Sequence, residues 1–421
     1  MSSPTAKPTL SSRLDSIDAL RGIAALMVAL YHIWGKDGIY PWPSVGIVTQ
    51  TSDPNFFHYL ISPLRWGYLG VSLFLVLSGF CIHLAYAQKK QQTGSYEFTP
   101  KRFFLRRIWR LYPAYLLAIL GTALALNLAV YLPGVNLAQR LEIPGLWDVF
   151  THTLMLHGFD EATFYSIVSV FWSLTLEFQL YLAYPLFLKL FDRLGVGRSV
   201  ILLCGVAVIW RVIALYPLNN GLISIATFGP FTAMGSVLAR MPEWLMGAYL
   251  AHLFVAGKLK AFTVPNMVVG FAALFAVGVV STFSRVTWVM TDLIFGLAFS
   301  ALTVAFMNRE QVFANGGRLV RQLVWVGTIS YSLYLFHLQL FWLIAPFVDP
   351  IQSLEARTIL RLLWLGVTIA ICAQLFKFVE KPFLRLPKAG MRLHAALQLL
   401  ERSLGIKSDK ASTIALTKSA E

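Results

Sequence analysis

Apolar residues dominate the chain from residue 16 to residue 378, broken at intervals by short polar stretches. About ten runs approach the ~20 residues that a helix needs to cross the hydrocarbon of a bilayer. They lie near 16–34, 66–87, 111–132, 168–190, 199–216, 236–256, 266–283, 288–307, 323–345 and 357–378. None shows the in–out alternation of barrel strands, and lipid admits only helices or closed barrels. The pattern therefore predicts an all-α integral membrane protein. No internal repeat is visible. A Ser-, Pro- and Thr-rich stretch at 1–12 is expected to be a disordered tail, followed by one membrane domain over 13–385 and a C-terminal tail over 386–421. Within that tail MRLHAALQLLERSLG (391–405) spaces its apolar and basic residues as a helix lying on an anionic membrane surface would.

Composition sharpens the class. Of 421 residues, 57% are apolar and 13% charged, with a mean hydropathy of +0.65; soluble domains carry about a quarter charged residues. Lys and Arg gather at alternate ends of the runs, most densely in KRFFLRRIWR (101–110) and the C-terminal tail. The positive-inside rule then puts both termini in the cytoplasm, as an even number of spans requires. The same asymmetry accounts for the net charge of +15, and no nucleic-acid-binding motif accompanies it, so nucleic acid is not expected as a partner. The first run has basic residues before it but holds Arg21 and His32 and lacks a small-x-small cleavage pattern, so it reads as a retained helix. Cys81, Cys204 and Cys372 fall within runs at spacings suited to neither a metal site nor a disulfide framework, and core packing is expected of them. No metal is expected.

Chemistry must come from the polar residues inside the runs. Arg21 and His32 stand eleven apart, within about 20° on a helix face and roughly 16 Å along its axis. Asp18 is placed to pair with Arg21 at i,i+3. Intramembrane ionisable groups are costly and so are functional candidates, although a single imidazole can also serve helix packing. In KRFFLRRIWRLYP, Arg107 and Arg110 share a face with Arg106 and Arg102 nearby. Guanidinium forks suit phosphate oxygens, and anchoring to anionic lipid is the competing explanation. FWSLTLEFQLYLAYP (171–185) aligns Glu177, Tyr181 and Tyr184; ISYSLYLFH (329–337) aligns Ser330, Tyr334 and His337. Two polar stripes suggest an internal polar cavity, with ordinary interhelical hydrogen bonds as the alternative. GVSLFLVLSGF (70–80) reads as a close-packing surface of small residues. Tyr40, Trp42, Phe56, Phe57 and Tyr59 could stack on sugar rings or anchor the interface, and Arg65, Arg211, Arg240, Glu243 and Asp292 are polar positions without an assignable role.

Taken in order, DALRGIAALMVALYH, GYLGVSLFLVLSGF, FFLRRIWRLYP, FWSLTLEFQLY, ISYSLYLFH and EKPF resemble the acyltransferase 3 family of membrane-bound acyltransferases, from about residue 14 to 385. Each motif is weak alone; the ordered set is specific. The resemblance implies ten transmembrane helices and transfer of an acyl group, often acetyl, from cytoplasmic acyl-coenzyme A to a hydroxyl of a carbohydrate or glycolipid acceptor. It places the family's Arg-x10-His motif on Arg21 and His32, the His being the catalytic one, and its Arg-x-x-Arg motif, associated with the donor, on Arg107 and Arg110. The glutamate of the Trp-Ser-Leu segment falls on Glu177. No hydrolase-like domain of the kind some members carry follows the membrane part, so a second transfer step is expected to need another protein. The resemblance also implies a bacterial cytoplasmic membrane.

The mechanism expected is direct transfer, with His32 as general base on the acceptor hydroxyl and Glu177 orienting or counter-charging the imidazole. Arg107 and Arg110, with Arg106 and Arg21 close by, would hold the donor phosphates. Asp18, Ser330, Tyr334, His337 and Tyr181 are expected to line the cavity. A covalent acyl-enzyme on Ser330 or His32 is one alternative; a transporter or flippase of a glycolipid, using the same cavity without chemistry, is another.

Overall fold

The computed structural model describes residues 14–35, 56–129, 143–215 and 230–385. The predicted tail at 1–12, the segment at 36–55 with Tyr40 and Trp42, and the C-terminal tail from 386 lie outside the described residues. Ten long helices carry the chain: α1 (Asp15–Gly35), α2 (Gly70–Thr93), α3 (Pro100–Ala129), α4 (Trp172–Leu194), α5 (Val196–Leu215), α6 (Val237–Val255), α7 (Val264–Ser281), α8 (Thr291–Met307), α9 (Ser330–Val348) and α10 (Leu354–Leu375). No strand occurs among the described residues. Among the described residues seven helical segments are long and apolar enough to cross a membrane. The other three runs fall on α4 and α6, whose hydropathy is lowered by inward polar residues, and on α8, which has 17 residues. The protein is a multi-pass integral membrane protein.

Local chemistry sets the helix ends. Ser353 caps α10, its hydroxyl accepting the Ala356 N–H at 3.2 Å. Gly94 and Gly195 follow α2 and α4 with φ of 72° and 81°, which a side chain would disfavour. The predicted run at 323–345 is divided: a short helix, Arg318–Thr328, precedes α9 and packs against α1. Leu120, Leu124, Ile201, Ile209, Val269 and Leu363 face outward, as side chains against lipid do.

Packing is tightest where backbones meet. A Cβ on Gly79 of α2 would lie 1.8 Å from the Trp244 carbonyl oxygen of α6, and one on Gly247 would lie 1.9 Å from that of Val76. The small-residue surface of 70–80 thus packs as its composition predicts. Around this contact, Leu176, Leu180, Trp244 and Leu245 form one core cluster, while Leu20, Leu73, Phe80, Phe295 and Phe299 tie α1 and α2 to α8. Two cations and two carboxylates close the bundle beside it. Arg211 pairs with Asp292 and donates to the Val289 and Trp288 carbonyls, while Arg240 binds Glu243 at 2.6 Å and lies 3.6 Å from Asp292.

Candidate active site

A cavity of about 160 Å³ opens between α1, α2, α3, α4 and α9. Arg21 reaches it from the first turns of α1, and Arg107 and Arg110 reach it from α3. The i,i+3 spacing that sends these two inward leaves Arg106 on the exposed side of α3, away from the cavity. Arg107 lies over the rings of Phe103 and Tyr181, at 5.7 and 5.9 Å, and its Nε is buried without a hydrogen-bond partner. Arg21 pairs with Asp18 at 3.5 Å, so Asp18 touches the site through Arg21 and does not line the cavity.

The expected polar stripes meet in this space. Glu177 accepts hydrogen bonds from the Tyr181 hydroxyl and, at 3.1 Å, from Ser78. Ser330 and Tyr334 line the cavity from α9; the Ser330 hydroxyl is buried and unpartnered, whereas Tyr334 bonds Ser173 and donates to the Val170 carbonyl at 2.9 Å. Tyr184, third on the α4 stripe, turns to His83 instead, at 3.2 Å. Cys81 also lines the cavity and is not a core residue like Cys372.

His32 does not border this cavity. Phe74 and Tyr334 are among its lining residues, and their rings meet edge to face at 5.8 Å. His337 follows, 6.1 Å from Tyr334 between ring centroids, and its Nε2 lies 3.2 Å from Nδ1 of His32. The residue that touches the His32 imidazole is therefore His337, and not Glu177, whose recorded bonds go to Tyr181 and Ser78. His32 also borders a small second pocket with Asp349, Arg361, Phe341 and Trp364, in which Arg361 binds Asp349 at 3.0 Å.

Three contributors escape sequence reasoning. Glu380 of the EKPF segment is buried, accepts the Ser332 hydroxyl at 2.7 Å and lies within electrostatic reach of Arg110 and Arg21. Ser78 looks like a packing residue by composition yet holds Glu177. Asp349 follows the end of α9, where charge needs no special explanation, and its partner Arg361 lies buried in the third turn of α10. Among the described residues no group of His, Cys, Asp and Glu side chains is placed to hold a metal ion.

The acyltransferase domain family matches residues 14–376. The chain is 25% identical over 390 residues to the peptidoglycan O-acetyltransferase OatA of Listeria monocytogenes, covering 88% of this chain and 55% of that protein. It is 25% identical over 373 residues to the putative peptidoglycan O-acetyltransferase YrhL of Bacillus subtilis, covering 83% and 55%. A putative acetyltransferase, ORF330 of Acidianus two-tailed virus, is 25% identical over 328 residues, covering 76% and 82%. The chain thus spans about half the length of the first two relatives. No solved structure matches.

Proposed function

Because the chain belongs to the acyltransferase 3 family, whose acyltransferase domain matches residues 14–376, we propose that it transfers an acyl group, acetyl by analogy with the named relatives, from acyl-coenzyme A to a carbohydrate hydroxyl. The observation that carries this reading is the cavity lined by Arg21, Arg107 and Arg110, two of whose bounding helices, α1 and α9, bear His32 and its partner His337. Three guanidinium groups suit the phosphates of the donor, and the cavity they line is where its thioester arm would enter. The unpartnered Arg107 Nε and Ser330 hydroxyl are the groups a polar ligand would satisfy.

His32 takes the proton from the acceptor hydroxyl as its oxygen attacks the thioester carbonyl. The C–S bond then breaks, and His32 returns the proton to the departing thiolate. A sugar hydroxyl is a poor nucleophile without a base, whereas a thiolate leaves readily, so basic assistance is the larger need. Glu177 acts inside the cavity through Tyr181 and Ser78. Tyr334 lines the cavity and neighbours His337, so the thioester reaches the acceptor on the histidine side of this ring. With both termini in the cytoplasm, Arg21, Arg107 and Arg110 face the donor's compartment and His32 lies towards the far side of a bacterial cytoplasmic membrane. The acceptor is a surface glycan or glycolipid, and peptidoglycan is the precedent set by two relatives' names.

A flippase with the same cavity would have no use for a coenzyme site. Coenzyme A added to the purified protein in detergent is expected to raise its melting temperature, and Arg107→Ala to abolish the shift. A melting temperature indifferent to coenzyme A in the wild type would contradict the donor site.

A further inference from the structure

The contact between His32 and His337 fixes where their hydrogens sit. On α9, Nδ1 of His337 lies 3.0 Å from the Leu333 carbonyl oxygen and 2.9 Å from that of Tyr334. Carbonyl oxygens only accept, so this nitrogen carries the hydrogen. In the neutral ring Nε2 of His337 is then a lone pair, and it is this nitrogen that lies 3.2 Å from Nδ1 of His32. Two lone pairs cannot face each other across that distance, so Nδ1 of His32 carries a hydrogen as well. The Val28 carbonyl oxygen, 2.9 Å from the same nitrogen, makes the same demand. The opposite arrangement needs a second hydrogen on His337, hence a cation in a side chain only 1% exposed and with no carboxylate among its recorded bonds.

We propose that His337 is a positioning residue that holds His32 in its Nδ1–H tautomer, so that Nε2 is the atom that takes the acceptor's proton. The proposal rests on the reading of His32 as the general base. Among the described residues no hydrogen bond occupies Nε2 of His32, which leaves its lone pair available. The Val28 carbonyl belongs to the turn below His32 and favours the same tautomer from within α1. His337 reaches the same nitrogen from α9, its ring tilted 55° to that of His32, and shares the Nδ1 hydrogen with that carbonyl. The contact gains a second use during transfer. When Nε2 accepts the hydroxyl proton, Nδ1–H becomes a charge-assisted donor to neutral His337, which stabilises the imidazolium where water is scarce. The proton on Nε2 then passes to the thiolate, and both rings return to their starting state. A neutral imidazole thus stands where a carboxylate orients the base in a hydrolase triad.

The test uses the full chain in lipid, labelled with ¹⁵N-histidine, with the His32 signals identified by their loss in His32→Gln. Wild type is expected to show the hydrogen of His32 on Nδ1, and His337→Leu to admit a population with it on Nε2. In steady-state assays His337→Leu is expected to lower kcat about 10- to 100-fold, the range for losing a hydrogen bond to a charged group, with KM for acyl-coenzyme A unchanged. His337→Gln, which can still present an acceptor oxygen, is expected to recover part of kcat, and matched melting temperatures establish that both variants fold. A hydrogen on Nε2 in wild-type His32, or an unchanged kcat in folded His337→Leu, overturns the positioning role. Full activity in His32→Ala overturns the base reading itself, an outcome that the tautomer measurement neither requires nor mimics.

Discussion

Arg106 and Arg107 are neighbours in sequence and opposites in the structure, one exposed and one against a pair of touching aromatic rings at the cavity. Arg107→Ala is expected to raise KM for acyl-coenzyme A about 10- to 100-fold, the loss of a charge-assisted hydrogen bond worth about 1.5–3 kcal/mol. Arg106→Ala should leave KM within about twofold, since exposed charges contribute little; initial rates against donor concentration check both. Helical spacing made the inward pair of arginines legible, because i,i+3 positions share a face. The partner of His32 was not legible, because nothing in a linear sequence says that position 337 meets position 32.

A second pair of imidazoles lies outside the spanning segments, in the connection before α4. His152 and His157 stack with centroids 3.8 Å apart and planes 3° off parallel, both fully buried. Burial holds His152 down at about 4 and His157 at about 3, the second also opposed by its neighbour, against an ordinary value of 6.5. In the unfolded chain these rings take up protons near pH 6.5; in the fold they resist, so unfolding binds protons and stability falls with acid. Their contribution is complete above about pH 6.5 and is lost progressively as pH drops through about 4 towards 3. The melting temperature is expected to decline over that window, and less steeply in the double variant His152→Phe, His157→Phe. Equal slopes would remove the pair from the account.

Among the elements, the contact of α2 with α6 organises the bundle around the cavity. Gly79 and Gly247 let the two backbones touch, which positions Ser78, one residue away, to hold Glu177. Gly79→Val has no space to occupy and is expected to cost about 1–3 kcal/mol or more through overpacking, read as a lower melting temperature and less folded protein in membranes. A wild-type melting temperature would contradict the contact. The helices themselves were legible, since the predicted runs fall on helical segments among the described residues, the run at 323–345 on two of them, and so was the tight packing of 70–80. Two features were not. The break at Ile329 falls inside a continuous apolar run, two residues after Gly327, where a Cβ would lie 1.7 Å from the Asp18 carbonyl oxygen. The pairing of Arg211 and Arg240 with Asp292 and Glu243 joins α5, α6 and α8, and sequence showed the charges without their partners.

At the scale of the whole molecule, the bundle separates two environments. One end presents arginines to a cavity; His32 and His337 lie outside its lining, His32 beside a smaller pocket that holds Arg361 and Asp349. The ordered motifs made the family legible because they occur together, in one order, along the chain. The separation of His32 from the cavity was illegible because it depends on how α1, α2 and α9 pack. If His32 performs chemistry on a group delivered from the arginine end, transfer of radiolabel from acetyl-coenzyme A into glycan, in membrane vesicles at matched expression, depends on its imidazole. Label is expected with wild type and absent with His32→Ala; label that persists in His32→Ala at the wild-type rate would contradict it.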